Sequence, residues 1–147
     1  MHHLSTLLIS VLAFVSGLGV LAQASTLSYD NNYDNGALSL DSVACSSGQY
    51  GLETKNSSWT TLGSLPNFPN VGGVDTVSGW NSPQCGTCYA VTYAGTGITV
   101  NILAVDKSQS GFTVSQAAMN TLTNGQAVQF GRVSVSYTQV DPSVCGV

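Results

Sequence analysis

Seven carboxylates, four cysteines and a scatter of aromatic rings are the side chains in this sequence with chemistry to offer. Histidine is nearly absent, and the two present, His2 and His3, stand at the very start. Beyond them no Ser/His or Cys/His nucleophile pair can be assembled, nor a zinc site that uses imidazole. The carboxylates are Asp30, Asp34, Asp41, Glu53, Asp75, Asp106 and Asp141. Two carboxyl groups, one protonated and one ionised, suffice for glycoside hydrolysis if they flank one bond. Asp106 is the best single candidate because it ends the most apolar stretch of the chain. A strand-end Asp that accepts hydrogen bonds from nearby backbone N–H groups is an equally good reading. Lys107 follows directly, and its charge would favour the ionised carboxylate and oppose use as an acid. No motif marks a second carboxylate as partner. Asp30 would approach only if the first strand crosses beside Asp106.

Cys45, Cys85, Cys88 and Cys145 are the cysteines. An even number in an exported chain favours disulfides, and four allow three pairings. A Cys85–Cys88 bridge is the easiest to set aside, since so tight a loop belongs to redox motifs and no βαβ pattern surrounds it. A zinc site would need all four thiolates, with no second CxxC to complete it. No metal or cofactor is therefore expected. The simplest pairing is sequential, Cys45–Cys85 and Cys88–Cys145. Each bridge would close a loop worth roughly 4 kcal/mol by chain entropy. Such a protein should tolerate heat and lose that tolerance under reductant.

The elements that must position these groups read as short strands. Leu27–Tyr29 is a first candidate, followed by the Asn35-Gly36 turn signal. Leu38–Ala44 reads as a strand leading into Cys45. Residues 46–82 are rich in Gly and Pro and read as loop, the kind of long connection where function often sits. They hold one glycosylation sequon, Asn56-Ser57-Ser58. Tyr89, Val91 and Tyr93 alternate with Ala90 and Thr92. Ile98, Val100, Ile102 and Ala104 share one strand face, and Leu103 with Val105 makes the far end apolar on both faces, hence buried. Val128 and Phe130 precede Gly131. Val133, Val135 and Tyr137 alternate again. One helix stands between, with Thr113 as its expected cap, Gln116 at the capping-box position and Asn124-Gly125 as its stop. Many short strands and little helix suggest a small β-barrel.

Residues 4–21 are mostly apolar and end at Ala22-Gln23-Ala24, a small-x-small site for signal peptidase. The stretch approaches a membrane span, but Gly17, Gly19, Ser10 and Ser16 dilute it and no basic stop-transfer residues follow. Export with cleavage after Ala24 is the expectation, leaving one domain, Ser25–Val147. A net charge of −4 with three basic residues, Lys55, Lys107 and Arg132, excludes phosphate-backbone binding and electrostatic attachment to anionic lipid. The surface instead draws on Ser, Thr, Asn, Gln and Gly, which suits neutral, hydroxyl-rich partners.

Seven motifs occur in order: Ser28-Tyr29-Asp30, Val43-Ala44-Cys45-Ser46, Phe68-Pro69-Asn70-Val71-Gly72-Gly73, Gly79-Trp80-Asn81-Ser82-Pro83, Cys85-Gly86-Thr87-Cys88, Val105-Asp106 and Gln139-Val140-Asp141. Together they span nearly the whole of the expected mature chain, and the set resembles the cerato-platanin family of small secreted fungal proteins. The resemblance implies a mainly β fold, a six-stranded double-psi β-barrel with one or two short helices, similar to the barrels of expansins and barwin. It implies the sequential disulfides. It also implies binding to chitin and N-acetylglucosamine oligomers, loosening of cellulosic material without hydrolysis, a place outside the cell or in the fungal wall, and perception by plants as an elicitor. Virulence factors and allergens occur in the family. Two positions depart from its pattern. Tyr89 stands where the family often has Trp, and Lys107 where it has a small residue.

A binder needs aromatic rings for the apolar faces of sugars and polar groups for their hydroxyl edges. Tyr29, Trp80, Tyr89 and Tyr137 are candidates for stacking, although regular alternation favours core packing for Tyr137 and Tyr93. Trp59 and Trp80, in the loop-rich stretch, are more open. Asp30, Asn81, Asp106, Ser108 and Gln109 are the candidate polar contacts, and the resemblance places Asp106 in the groove. The expected reading is a non-catalytic carbohydrate-binding monomer. A hydrolase built on Asp106 and a wall protein that self-assembles at interfaces are the alternatives.

Overall fold

Residues 21–147 are described by the computed structural model. The expected leader therefore falls, up to residue 20, outside the described residues. Six strands close into a barrel: β1 (Gln23–Tyr29), β2 (Val71–Val74), β3 (Cys88–Tyr93), β4 (Ile98–Lys107), β5 (Phe112–Val114) and β6 (Arg132–Val140). Around the barrel the order is β1-β5-β2-β4-β3-β6, and β6 pairs back to β1. Two pairs are parallel, β1 with β5 and β2 with β4, while the other four are antiparallel. This is the expected double-psi barrel. Leu27, Val91, Ile102, Phe112 and Val114 fill its interior. Both faces of β4 are buried from Ile102 to Val105, as its unbroken apolar end requires.

Both disulfides are sequential: Cys45–Cys85, with Cα atoms 5.2 Å apart, and Cys88–Cys145, at 5.8 Å. The first closes the loop-rich stretch by joining the two residues that flank it. The second fastens the C-terminal 3-10 turn, Pro142–Cys145, to the start of β3.

Four local expectations change. Leu38–Ala44 is not a strand. It makes one bridge, Ser39 to Thr61, and then a 3-10 turn over Leu40–Ser42. Ser39 Oγ accepts from the Asp41 N–H, and Ser42 Oγ donates to the Ser39 carbonyl. Those local bonds compete with a ladder. The stretch read as loop hides β2, whose four residues are all buried. Its two glycines are needed there, because a Cβ on Gly72 would collide with the Thr113 carbonyl and one on Gly73 with that of Lys107. The main helix, Gln116–Thr123, is capped by Ser115, which accepts from the Ala118 N–H, while the expected cap Thr113 belongs to β5. Its stop is as expected, with Asn124 in the left-handed region at φ 54°. Helical content also exceeds one or two short helices. Among the described residues there are three short α-helices, Leu52–Lys55, Gln116–Thr123 and Ala127–Phe130, with Val128 and Phe130 on the last.

Candidate functional site

The end of β1 and the end of β4 meet at one rim of the barrel. The Asp30 N–H donates to the Val114 carbonyl, and the Asp30 carboxylate caps a 3-10 turn, Asn31–Asp34, accepting from the Asn32 N–H at 2.9 Å. That turn swings Tyr33 inward. Its hydroxyl donates to Asp106 Oδ2 at 2.9 Å. The other Asp106 oxygen, Oδ1, accepts from the Ala44 N–H at 3.0 Å and the Lys107 N–H at 2.9 Å. Three donors thus hold one carboxylate in place. Burial pushes the Tyr33 phenol well above its ordinary value, and the Asp106 and Asp30 carboxylates add to the shift. Tyr33 therefore remains a neutral donor.

Two adjoining cavities share Asp30 and Tyr33 and form one shallow groove. The first, of about 270 Å³, adds Asp106, Asn32, Leu38, Ser42 and Val43. The second, of about 350 Å³, adds Lys107, Ser108, Gln109, Ser110, Thr113 and Arg132. Its floor is knit by the Ser108 and Thr113 hydroxyls, 2.9 Å apart, and by Arg132 Nη1 donating to Thr26 Oγ1. The groove is polarised. Asp106 lines only the first cavity, Lys107 and Arg132, two of the chain's three cations, line only the second, and Asp30 stands between them.

Asp30, Asp106, Ser108 and Gln109 are thus brought together as expected. Tyr29 lies half-buried against the core beside Asp30. Trp80 and Asn81 form a separate patch. Trp80 is 64 % exposed, and its indole N–H donates to Ser47 Oγ at 3.2 Å. Asn81, at φ 59°, accepts the Tyr50 N–H on Oδ1. Tyr89 is corrected outright as a stacking residue. It is 2 % exposed, edge-on to Phe112 and Tyr137 in the barrel core. Tyr137 is half-buried against that core, and Trp59 is likewise half-buried. The sequence reading missed Tyr33. Its signal was Asp30 as a cap, which sets a ring three residues later on the same side of the turn. Asn56 is exposed, and its Oδ1 accepts from both the N–H and the hydroxyl of Ser58. Among the described residues no three His, Cys, Asp or Glu side chains gather as a metal site, and no helix is long and apolar enough to cross a membrane.

Residues 25–147 match the family model described as Cerato-platanin. The heat-stable 19 kDa antigen of Coccidioides immitis is 46 % identical over 127 residues, covering 86 % of this chain and 84 % of that one. The crystal structure of cerato-platanin 3 from M. perniciosa superposes with a TM-score of 0.80 at 49 % identity, covering 85 % of this chain and 100 % of the other. The solution structure of the fungal elicitor Cerato-Platanin gives 0.72 at 44 % identity, covering 82 % and 95 %. With its motifs, its disulfides and its barrel in agreement, the chain belongs to the cerato-platanin family.

Proposed function

We propose that the protein is a secreted, non-catalytic carbohydrate-binding protein. Its groove takes chitin fragments or similar neutral oligosaccharides outside the cell, including at the fungal wall. The observation that carries this reading is the wiring of Asp106. A carboxylate fixed in place by Tyr33, Ala44 and Lys107 presents its remaining lone pairs to the groove as acceptors for sugar hydroxyls. Asp30, Ser108 and Gln109 line the same groove with further acceptors and donors. The two cavities together offer an open, polar rim along which sugar rings would lie. Loosening of cellulose without hydrolysis, and recognition by a plant receptor, follow as roles for such a binder. That a solved relative is a fungal elicitor supports recognition by a receptor. Titration with the N-acetylglucosamine tetramer, followed by backbone amide shifts, tests the reading. Movement is expected at Asp30 and from Lys107 to Thr113, and weakening in Asp30→Asn and Asp106→Ala. A spectrum unmoved at saturating sugar sinks it.

One observation favours a second reading, hydrolysis: Asp30 and Asp106 line the same cavity. Against it, both already accept main-chain hydrogen bonds that serve the fold, Asp30 as a turn cap and Asp106 as the anchor of the chain entering Cys45. Release of soluble reducing sugar from chitin or cellulose, abolished in Asp106→Asn, would establish it.

A further inference from the structure

A third cavity lies away from the groove. It has a volume of about 440 Å³ and is lined by Gln23, Thr76, Gln84, Tyr89, Tyr137 and Gln139. The strand register fixes its distance from the groove. On the β1–β6 ribbon Gln23 pairs with Tyr137, whereas Ser28 pairs with Arg132, the groove residue. Five residues of strand separate the two, about 17 Å at 3.3 Å per residue. The lining sets are disjoint.

We propose that this cavity is a second binding site for a neutral, hydroxyl-rich ring such as a sugar, independent of the Asp30–Asp106 groove. Its lining carries no Asp, Glu, Lys or Arg. Charged ligands therefore find no partner in it, and neutral ones meet no unpaired charge. Its base is aromatic and rigid. Tyr137 stands edge-on to Tyr89, with ring centroids 5.7 Å apart, and to Phe112, at 5.1 Å. A ring so braced loses little freedom when a sugar face lies on it. The polar groups are of the type that sugars need. A Gln amide accepts and donates at once, which matches the two roles of a hydroxyl. Gln139 is in register with Tyr89 on neighbouring strands. Gln84 is held through its main chain, its N–H donating to Ser82 Oγ and its carbonyl accepting from Thr87 Oγ1. The Tyr89 and Thr76 hydroxyls, 2.7 Å apart, complete the floor. The Tyr137 hydroxyl donates to Gln23 Oε1 at 2.9 Å. Cleavage after Ala24 would remove Gln23 and hand that hydroxyl to the ligand.

The test rests on side-chain amide and aromatic signals, which separate the two sites. The full coding chain is expressed, and the recovered protein is titrated with the N-acetylglucosamine hexamer and, in parallel, with cellohexaose. Shifts are expected at the Gln84 and Gln139 side-chain amides and the Tyr137 ring with at least one of the two sugars. They should persist in Asp106→Ala, which disables the groove alone. Gln84→Ala with Gln139→Ala should weaken the binding read at the Tyr137 ring about tenfold and leave the shifts at Asp30 and Ser108 unchanged. Both glutamine variants retain the aromatic core, and their backbone amide spectra report the fold directly. The proposal is overturned if these signals stay still with both sugars, or if they vanish together with the groove signals in Asp106→Ala. Groove shifts without pocket shifts would defeat it while leaving the proposed function standing. Pocket shifts without groove shifts would do the reverse.

Discussion

Two polar regions flank the cysteine-bridged loop, and they are held by different means. Asp106 is wired into the sheet. Its carboxylate closes hydrogen bonds from the 3-10 turn after β1, from the chain entering Cys45 and from its own strand end. The Trp80 patch is made of residues that lie outside the strands. Its indole meets Ser47 and its neighbour Asn81 meets Tyr50, so two loops hold one another. Gly48, at φ +86°, allows that contact, since a Cβ there would run into Asn81 and crowd the Trp80 ring. Cys45–Cys85 locks the two loops to each other, and the Cys45 and Gly86 N–H groups fasten the pair to the Val105 and Ala104 carbonyls of β4. A site built on a sheet is precise by default, whereas one built on loops needs a covalent tether.

Breaking that tether is the largest perturbation available. Replacing Cys45 and Cys85 together by Ala should cost about 4 kcal/mol, with a further penalty of similar size when Cys88–Cys145 is lost. Thermal melts with and without reductant measure it. Hydrogen exchange separates the two regions: amides of residues 46–51 and 79–84 should lose protection, while those paired between β1 and β6 keep it. Equal loss in both regions would refute the division drawn above.

Asp106 comes next. Asp106→Ala leaves the Tyr33 hydroxyl and the Ala44 and Lys107 N–H groups without their acceptor, and should cost about 3 kcal/mol. Asp106→Asn retains an acceptor for the two N–H groups and an amide that can donate to the Tyr33 oxygen. It should cost less than half as much in denaturant unfolding. If Asn and Ala were equally costly, the wiring would not be what stabilises this rim.

How much of this was legible follows from the range of each interaction. β3, β4 and β6 declare themselves by alternation, and Asn124-Gly125 ends its helix by a purely local conformational need. β2 is hidden because Val71-Gly72-Gly73-Val74 is shaped by backbones that approach it from β5 and β4, a requirement no local propensity encodes. Leu38–Ala44 has a strand's composition, but the hydroxyls of Ser39 and Ser42 bond the chain to itself. In the groove, Asp106 was legible as the end of an apolar strand, while its partner Tyr33 is 73 residues away in sequence and was not. Tyr89 was misjudged although the signal was present. It shares its alternating face with Val91, which is wholly buried.

The Tyr33 phenol gives the wired rim an alkaline signature. Its pKa is raised above the ordinary value of 10, by burial first and then by Asp106 and Asp30. Below about pH 10 the phenol is protonated folded or unfolded, and its contribution is constant. Above that, the folded state retains a proton that the unfolded chain has released, so stability falls as pH rises. Tyr33→Phe should cost about 1–2 kcal/mol at neutral pH, through the lost bond to a charged acceptor. It should also flatten the decline between about pH 10 and 11. Chemical denaturation across that range checks both, and an undiminished decline would assign it to other tyrosines, of which Tyr137 is also raised.

Trp80→Ala should have the mildest effect on stability. At 64 % exposure the ring buries little, so unfolding free energy should change by no more than about 0.5 kcal/mol. An exposed, positioned indole on a tethered loop nevertheless has the makings of a flat sugar-binding platform, and stacking of that kind is worth about 1 kcal/mol or more. Depletion assays on insoluble chitin and cellulose should therefore show several-fold weaker retention for Trp80→Ala, with the groove's oligomer titration unchanged. The opposite pattern, retention intact and oligomer binding lost, would join the two regions into one site. In that case the loops would serve the groove, and the tether would act on sugar binding through Asp106 and not beside it.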